Sequence, residues 1–305
     1  FLVSEGTVSM GGMVAAVLLS SRTLAPLAQI ANLFGRANNA KTSYKRLASF
    51  MEETESEDVS VKNKSAIRRD KLGTIQFKDT TYRYPEADID TLRGINIKIE
   101  EGEKVAILGR NGSGKSTLMK LASGLFKASD GLVMYDGVDI RQLHTQDLSN
   151  SIGIVLQDVQ LFSGSVRENI TMGRGDISED DLVHAGKLSG LDEFISKIPG
   201  GYDLQLSDGG KGLSGGQRQA IALARAIVHK PSHFILDEPT SAMDMNAENL
   251  FISQVGAVLK ESTMLIVTHR MPLLNLVDRI IVMHEGQIAE DGPKDEIINK
   301  LNQPR

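Results

Sequence analysis

The chain has 305 residues, about twice the usual length of a single domain, so it accommodates one large domain or two unequal ones. Its 34 basic and 39 acidic residues give a net charge of -5, which excludes the positive field of non-specific nucleic-acid binding. The sequence contains no cysteine, which excludes disulfide bonds, thiolate metal sites and a cysteine nucleophile. A mean hydropathy of -0.14 excludes a polytopic membrane protein within these residues.

The first fifty residues differ in composition from the rest, and they begin with Phe1, so we expect a fragment of a longer protein. Residues 6–21 are uncharged, and as a helix they would fall just short of the roughly 30 Å hydrocarbon core of a bilayer. After Arg22 an apolar pattern resumes on one helical face. Two interpretations remain open: a buried amphipathic helix, or the end of a last transmembrane helix. A signal peptide is disfavoured, because Glu5 lies where a basic region should be.

The segment 53–72 is interpreted as a linker, because its charge changes from acidic to basic and it has almost no large apolar residue. From about Gly73, short β-like runs alternate with helical patterns, which predicts an α/β domain with a mixed, mostly parallel sheet over 73–305. Residues 166–230 carry several helical patterns with no strand between them, one of them capped by Ser178 and Asp181. We therefore expect a helical subdomain at about 165–230.

A phosphate-binding loop is predicted where the apolar run KVAIL leads into GRNGSGKST. Residues 109–116 satisfy the pattern G-x-x-x-x-G-K-[ST] between a strand and a helix start. Gly109, Gly112 and Gly114 allow positive φ, which brings backbone N–H groups close to phosphate oxygens. Lys115 is expected to reach the β and γ phosphates, and the Ser116 hydroxyl to bind Mg²⁺. A glycine-rich turn without a ligand is the alternative, which the flanking strand and helix disfavour.

Two adjacent carboxylates follow the apolar run 234–236. Their position at the end of a buried strand suits a division of roles, with Asp237 holding hydrated Mg²⁺ and Glu238 polarising the attacking water. Alone, such a pair is more simply a solvated strand end. Its company with the phosphate loop favours the catalytic interpretation.

A second glycine-rich helix start, LSGGQ, lies at residues 213–217. Small residues at a helix N-terminus expose backbone donors to a phosphate. Since the domain already has one phosphate cradle, a second is useful if it serves a nucleotide held by another copy. This motif separates the chain from kinases, GTPases and helicases, which also use phosphate loops.

These motifs, in this order, resemble the nucleotide-binding domain of ABC transporters over about residues 73–305. The resemblance implies a Walker A loop of Gly109, Arg110, Asn111, Gly112, Ser113, Gly114, Lys115, Ser116 and Thr117. It also implies that Asp237 ends Walker B and that Glu238 is catalytic. Gln157 matches the Q-loop residue that contacts Mg²⁺ and the attacking water, and His269 matches the switch histidine that contacts the γ-phosphate.

The same resemblance implies further nucleotide contacts. Tyr84 fits the aromatic residue that stacks on adenine, with Tyr82 as a near competitor. Asp244 matches the D-loop aspartate at the dimer interface. The signature residues that would contact the nucleotide of the second copy are Ser214, Gly215, Gly216 and Gln217.

Two segments narrow the subfamily. Residues 161–170, LFSGSVRENI, are similar to the corresponding stretch of exporters rather than importers. Residues 1–52 resemble the last transmembrane helix and the cytoplasmic extension of an exporter half in which the two domains are fused. The stretch 10–30 most resembles the type I secretion branch, the hemolysin and large-adhesin exporters. The chain departs from these exporters before LSGGQ, where 206–210 reads LSDGG in place of V-G-E-R-G or V-G-E-Q-G. The resemblance therefore does not imply for this chain the contact that this segment makes with the membrane-domain loops, whereas it still implies the ATP chemistry.

The resemblance implies an ATP- and Mg²⁺-dependent motor of a homodimeric exporter in the bacterial inner membrane, with this domain on the cytoplasmic side. The implied substrate is a secreted polypeptide, and the implied partners are the chain's own transmembrane domain, a periplasmic adaptor and an outer-membrane channel, without nucleic acid. A multidrug or lipid exporter shares the motor and is the alternative. A soluble ABC ATPase of DNA repair or translation would need a coiled-coil insertion or a second cassette, and a non-catalytic cassette would lack Glu238 and His269.

Overall fold

The computed structural model describes residues 9–56, 66–85, 87–243, 245–259 and 262–301. The chain divides into two compact units, Phe1–Lys62 and Asn63–Arg305. The first contains the predicted long helix, α1 (Met10–Ser56), with Pro26 inside it. None of the described helices combines the length and apolar character that crossing a membrane requires. The assignment of residues 1–52 to a transmembrane domain stays a prediction, and its first eight residues and much of the linker lie outside the described residues.

The second unit alternates strands and helices, as the sequence predicts. Its strands are β1 (Ile75–Tyr82), β2 (Leu92–Ile99), β3 (Lys104–Gly109), β4 (Asp130–Tyr135), β5 (Val138–Asp139), β6 (Ile152–Val155), β7 (Gly164–Ser165), β8 (Gln205–Leu206), β9 (His233–Asp237), β10 (Thr263–Val267), β11 (Arg279–His284) and β12 (Gln287–Pro293). Its helices are α2 (Lys115–Ala122), α3 (Thr145–Ser151), α4 (Val166–Thr171), α5 (Glu179–Leu188), α6 (Asp192–Ile195), α7 (Gly215–Ile227), α8 (Met245–Val258) and α9 (Lys294–Leu301).

The central sheet has six strands in the order β12-β11-β3-β10-β9-β6. All neighbours in it are parallel except β11 and β12, so the prediction of a mixed, mostly parallel sheet is confirmed. Strands β9 and β10 are buried at every position, because both faces of the sheet are covered. Since parallel strands end at the same edge, β3, β9 and β10 bring their C-terminal residues together.

Four strands form a separate antiparallel sheet in the order β2-β1-β4-β5, which the sequence patterns do not distinguish from the central sheet. Its apolar face packs with α2 on one face of the central sheet, in a core that includes Phe77, Leu118 and Leu265. A second core lies on the opposite face and joins that sheet to the helices of the insertion, with Leu182 and Leu223 among its members.

The helical subdomain lies between β6 and β9. Ser178 caps α5 as predicted, because its Oγ accepts a hydrogen bond from the Asp181 N–H at 3.1 Å. The prediction that no strand interrupts residues 166–230 is wrong in one place, since β8 pairs antiparallel with β7. A two-residue strand carries no periodicity, so the sequence could not reveal it.

Candidate functional site

The phosphate loop connects β3 to α2 through three glycines with positive φ: Gly109 (152°), Gly112 (82°) and Gly114 (98°). A Cβ on Gly109 would lie 2.4 Å from the carbonyl oxygen of Met283, so packing requires glycine there. A Cβ on Gly112 would meet nothing within 4 Å. The loop is therefore packed against Met283 at Gly109 and is open at Gly112, where a ligand can approach its backbone.

Lys115 lies inside this loop with only 6% of its surface exposed. Its Nζ donates hydrogen bonds to the carbonyl oxygens of Gly109 (2.8 Å) and Arg110 (3.0 Å). Burial lowers the pKa of Lys115, and the charges of Glu238 and Asp237 oppose that shift. A buried cation hydrogen-bonded to neutral carbonyls is complementary to a polyphosphate. The buried Oγ of Ser113 has no hydrogen-bond partner within the described part of the chain, which also fits a ligand that accepts hydrogen bonds.

The two predicted metal ligands on these elements are in contact. The Ser116 side chain lies close enough to the carboxylate of Asp237, which is buried at the end of β9, to affect its pKa. Burial raises the pKa of Asp237, while Ser116 and Lys115 act in the opposite direction. The described residues hold no cluster of three His, Cys, Asp or Glu side chains that could bind a metal by themselves. A carboxylate beside a hydroxyl still fits Mg²⁺, which completes its coordination with phosphate oxygens and water.

The predicted catalytic side chains converge on one cavity of about 640 Å³. Glu238 follows β9 and His269 follows β10, and Glu238 Oε1 lies 3.5 Å from His269 Nε2. Gln157, after β6, lines the same cavity. The full lining is Tyr84, Thr91, Asn111, Gly112, Gly114, Lys115, Ser116, Thr117, Gln157, Glu238, Val267 and His269. Residues from four distant parts of the sequence thus meet around the phosphate loop.

Of the two candidate adenine-stacking residues, Tyr84 is the one that lines this cavity. It is 36% exposed, and its hydroxyl lies 3.2 Å from Thr117 Oγ1. Tyr82 is only 7% exposed and stacks on Phe126, with ring centroids 5.1 Å apart and planes 12° from parallel. Tyr84 therefore has the open ring that stacking needs, and Tyr82 belongs to the core.

The four signature residues lie at the start of α7 and line a different cavity of about 420 Å³. Ser214 Oγ accepts from the Gln217 N–H at 3.2 Å, and Gln217 Oε1 accepts from the Ser214 N–H at 2.8 Å. This capping box fixes the first turn of α7 and leaves Gly215 and Gly216 beside the cavity. The signature motif is thus not part of the phosphate-loop cavity of its own chain. Asp244 lies outside the described residues.

Sequence reasoning misses three residues at this site. Thr91 and Val267 line the phosphate-loop cavity, and no sequence signal marks them because their contact arises from the tertiary fold. Gln219 donates from Nε2 to the main-chain carbonyl oxygen of Glu238 at 3.1 Å. A signal for Gln219 does exist, since it is a polar residue on the apolar, buried face of α7.

Residues 92–241 match the family described as ABC transporter. Over 99% of its length the chain is 38% identical to the toxin RTX-I translocation ATP-binding protein of Actinobacillus pleuropneumoniae, of which it covers 42%. It is 37% identical to the cyclolysin secretion/processing ATP-binding protein of Bordetella pertussis, over 95% of this chain and 40% of that protein. A bacterial Atm1-family ABC exporter with ATP bound matches 76% of this chain and 40% of its own, with a TM-score of 0.70 and 31% identity. The chain spans less than half the length of these curated relatives.

Proposed function

Because this chain belongs to the ABC transporter family and carries its ATP-binding domain, we propose that it is the ATP-hydrolysing motor of a homodimeric exporter. The observation that carries the proposal is the convergence of Glu238 and His269 on the cavity that the phosphate loop lines. A domain that only bound nucleotide would not need a carboxylate and an imidazole beside the γ-phosphate position.

The residues in and beside the cavity have separate roles in phosphoryl transfer. Lys115 and the backbone N–H groups of the loop hold the phosphates, and Tyr84 stacks on the adenine. Ser116, Asp237 and Gln157 would hold Mg²⁺, which when bound neutralises charge on the β and γ phosphates.

Glu238 acts on the attacking water in this proposal. Its carboxylate accepts a proton of that water as the water oxygen bonds to the γ-phosphorus and the bond from this phosphorus to the ADP oxygen breaks, so that ADP and inorganic phosphate are released. His269 Nε2 lies 3.5 Å from the Glu238 carboxylate. In this proposal the imidazole also contacts the γ-phosphate and orients the two groups. Catalysis then depends chiefly on positioning, as expected for a reaction in which the protein does little covalent chemistry.

The second copy completes each site. The signature residues line a cavity separate from the phosphate loop, so in this proposal they serve the nucleotide of the partner in a two-fold symmetric dimer. Two ATP molecules would then lie between the copies, and hydrolysis would reopen the dimer and drive alternating access. Both sites of the homodimer have a Glu238 and a His269.

The exported substrate is proposed to be a polypeptide. The relatives in Actinobacillus and Bordetella are named for toxin translocation and cyclolysin secretion, and the likeness extends over nearly the whole chain. The motor would then act at the bacterial inner membrane, on the cytoplasmic side, with its own transmembrane domain, a periplasmic adaptor and an outer-membrane channel. The second candidate is a multidrug or lipid exporter, because the chain is also similar to an Atm1-family ABC exporter whose name mentions no polypeptide substrate. Polypeptide uptake into inverted vesicles distinguishes the two.

The test of hydrolysis is Glu238→Gln. We expect this variant to bind ATP like the wild type and to lower its turnover by about 10²- to 10⁴-fold, because it removes the general base. The control is Glu296→Gln, the same change on an exposed position of α9, which should leave turnover unchanged. Near wild-type turnover in Glu238→Gln would contradict the proposed function.

A further inference from the structure

The backbone of Glu238 adopts a conformation that a non-glycine residue rarely takes. Its φ is +49°, in the left-handed region, and neighbouring groups must hold it there. The Glu238 N–H donates to the carbonyl oxygen of Val267 at 2.9 Å. The Glu238 carbonyl oxygen accepts from the Ser241 N–H and from Gln219 Nε2, each at 3.1 Å. Of these three hydrogen bonds, the one from Gln219 comes from a side chain.

The Gln219 amide lowers the stability of the protein, because it is buried on an apolar helix face. It is 3% exposed, on the face of α7 that also buries Ala222 and Leu223. Its Oε1 is buried without a partner among the described residues. A half-satisfied buried amide lowers stability relative to an apolar side chain of the same shape. The hydrogen bond to the Glu238 carbonyl oxygen is therefore the interaction that offsets the cost of burying the amide.

The same helix starts at the signature motif. Ser214 caps α7, and Gln219 follows one turn later, so the helix joins the first turn rigidly to the amide. A second contact runs in parallel, because a Cβ on Gly215 would lie 2.8 Å from Cβ of Ala242, in the loop that follows Glu238. The start of α7 is thus joined to the main chain of Glu238 and to the loop that follows it.

We propose that Gln219 is a positioning residue that holds the main chain of Glu238 and ties it to the signature helix. This inference rests on the proposed function. Since the signature motif of one copy serves the nucleotide of the other, the contact links the two ATP sites of the dimer. Nucleotide bound at the partner's site then adjusts the catalytic carboxylate of this copy.

The test is Gln219→Met, which keeps the length of the side chain and removes the donor. We expect kcat for ATP to fall by about 10- to 100-fold and KM to stay within about twofold, because the carboxylate is misplaced while the binding residues are untouched. In a Glu238→Gln background the same change should add no loss, since no carboxylate remains to be positioned. Gln219→Leu is a second variant, because an apolar side chain fits the buried face of α7.

Two controls separate positioning from stability. Gln205→Met removes another glutamine amide that donates to a backbone carbonyl, that of Asp203 at 3.3 Å, on the exposed side of β8. It should leave kcat unchanged. Ile227→Val loosens the core of α7 without contacting Glu238, and it should lower Tm without lowering kcat.

An unchanged kcat in Gln219→Met and Gln219→Leu would overturn the inference. So would an equal loss in the wild-type and Glu238→Gln backgrounds, or an equal loss in Ile227→Val. These results leave the proposed function standing, because the wild type still hydrolyses ATP in them. If the wild type hydrolyses no ATP, or Glu238→Gln matches it, the proposed function fails and this inference fails with it.

Discussion

Lys115 illustrates how burial prepares a side chain for a charged ligand. The ammonium group is almost fully buried, burial lowers its pKa, and two main-chain carbonyl oxygens hold it in place. Desolvation is the largest of the effects on its pKa, so the site gains most from an anion that restores a full set of charge-assisted hydrogen bonds. The arrangement is set before the nucleotide arrives, which reduces the entropy lost on binding.

Lys115→Ala should therefore weaken ATP binding itself. The loss of hydrogen bonds to a charged partner predicts a rise in Kd of about 10- to 100-fold. A titration with a fluorescent ATP analogue measures it, and Lys197→Ala, on an exposed lysine after α6, is the control. An unchanged Kd in Lys115→Ala would show that the phosphates do not lie in this loop.

At the residue scale, the sequence reveals what is local. The phosphate loop, Asp237 and Glu238 are predicted because their chemistry depends on short spacings between a strand and a helix. Gln157, His269 and Tyr84 come from resemblance, and the structure places them on the same cavity. The contact of Gln219 with Glu238 was beyond prediction, because it joins two elements whose packing only the fold determines.

At the scale of elements, two helices begin with the same device. Ser165 caps α4 and Ser214 caps α7, each in a reciprocal capping box with the residue three positions later. The first capping box lies at the start of α4, and the second lies beside the glycines of the signature motif at the start of α7. The hydrogen-bonding pattern is thus the same at the two helix starts, but Ser165 is buried and Ser214 is exposed.

Ser165→Ala and Ser214→Ala should each lower the free energy of unfolding by about 1 kcal/mol, because each removes an N-cap hydrogen bond. Only Ser214→Ala should also reduce ATP turnover, since its hydroxyl and first turn would face the partner's nucleotide. Chemical denaturation and an ATPase assay on both variants measure the two effects. Equal turnover in the two variants would argue against a role of the signature helix in hydrolysis.

Because of His233, at the start of β9, we expect the free energy of unfolding to decrease at acidic pH. It is buried, one ring nitrogen lies 2.5 Å from the carbonyl oxygen of Gly73, and burial lowers its pKa below 6.5. Below about pH 6.5 the unfolded chain binds more protons than the folded one, so stability falls as the pH drops. Burial lowers the pKa of His229 as well, and this acts in the same direction.

The corresponding variant is His233→Gln, with His284→Gln on an exposed position as the control. The free energy of unfolding of the wild type should decrease from about pH 7.5 to about pH 5.5, and the decrease should be smaller in His233→Gln. His229 keeps the remainder. An identical decrease in the wild type and His233→Gln would show that His233 is not held neutral by the fold.

Elements were predicted where their periodicity was long enough to read. Strands β3, β6, β9, β10 and β11 of the central sheet were predicted because short β-branched runs alternate with helices, and α1 because its apolar pattern repeats. The division of the strands into two sheets was not predicted, because a strand pattern does not show which sheet the strand joins. Strand β12 was missed, since most of its residues are exposed and no apolar alternation marks it.

At the scale of the whole molecule, one copy carries the phosphate loop and the signature motif on two separate cavities. The phosphate-loop cavity holds the catalytic side chains, and the signature residues line another cavity of the same unit. A nucleotide bound in the first cavity would leave its γ-phosphate exposed to the signature motif of a second copy. The proposed composite site therefore needs a second copy, and ATP is expected to stabilise that dimer by mass action.

The most direct measurement is the sedimentation velocity of Glu238→Gln with and without MgATP, because this variant should trap the bound nucleotide. We expect a monomer without nucleotide and a dimer with MgATP, and we expect this shift to be lost when Ser214→Ala is added. A variant that binds ATP and remains a monomer would contradict the composite site.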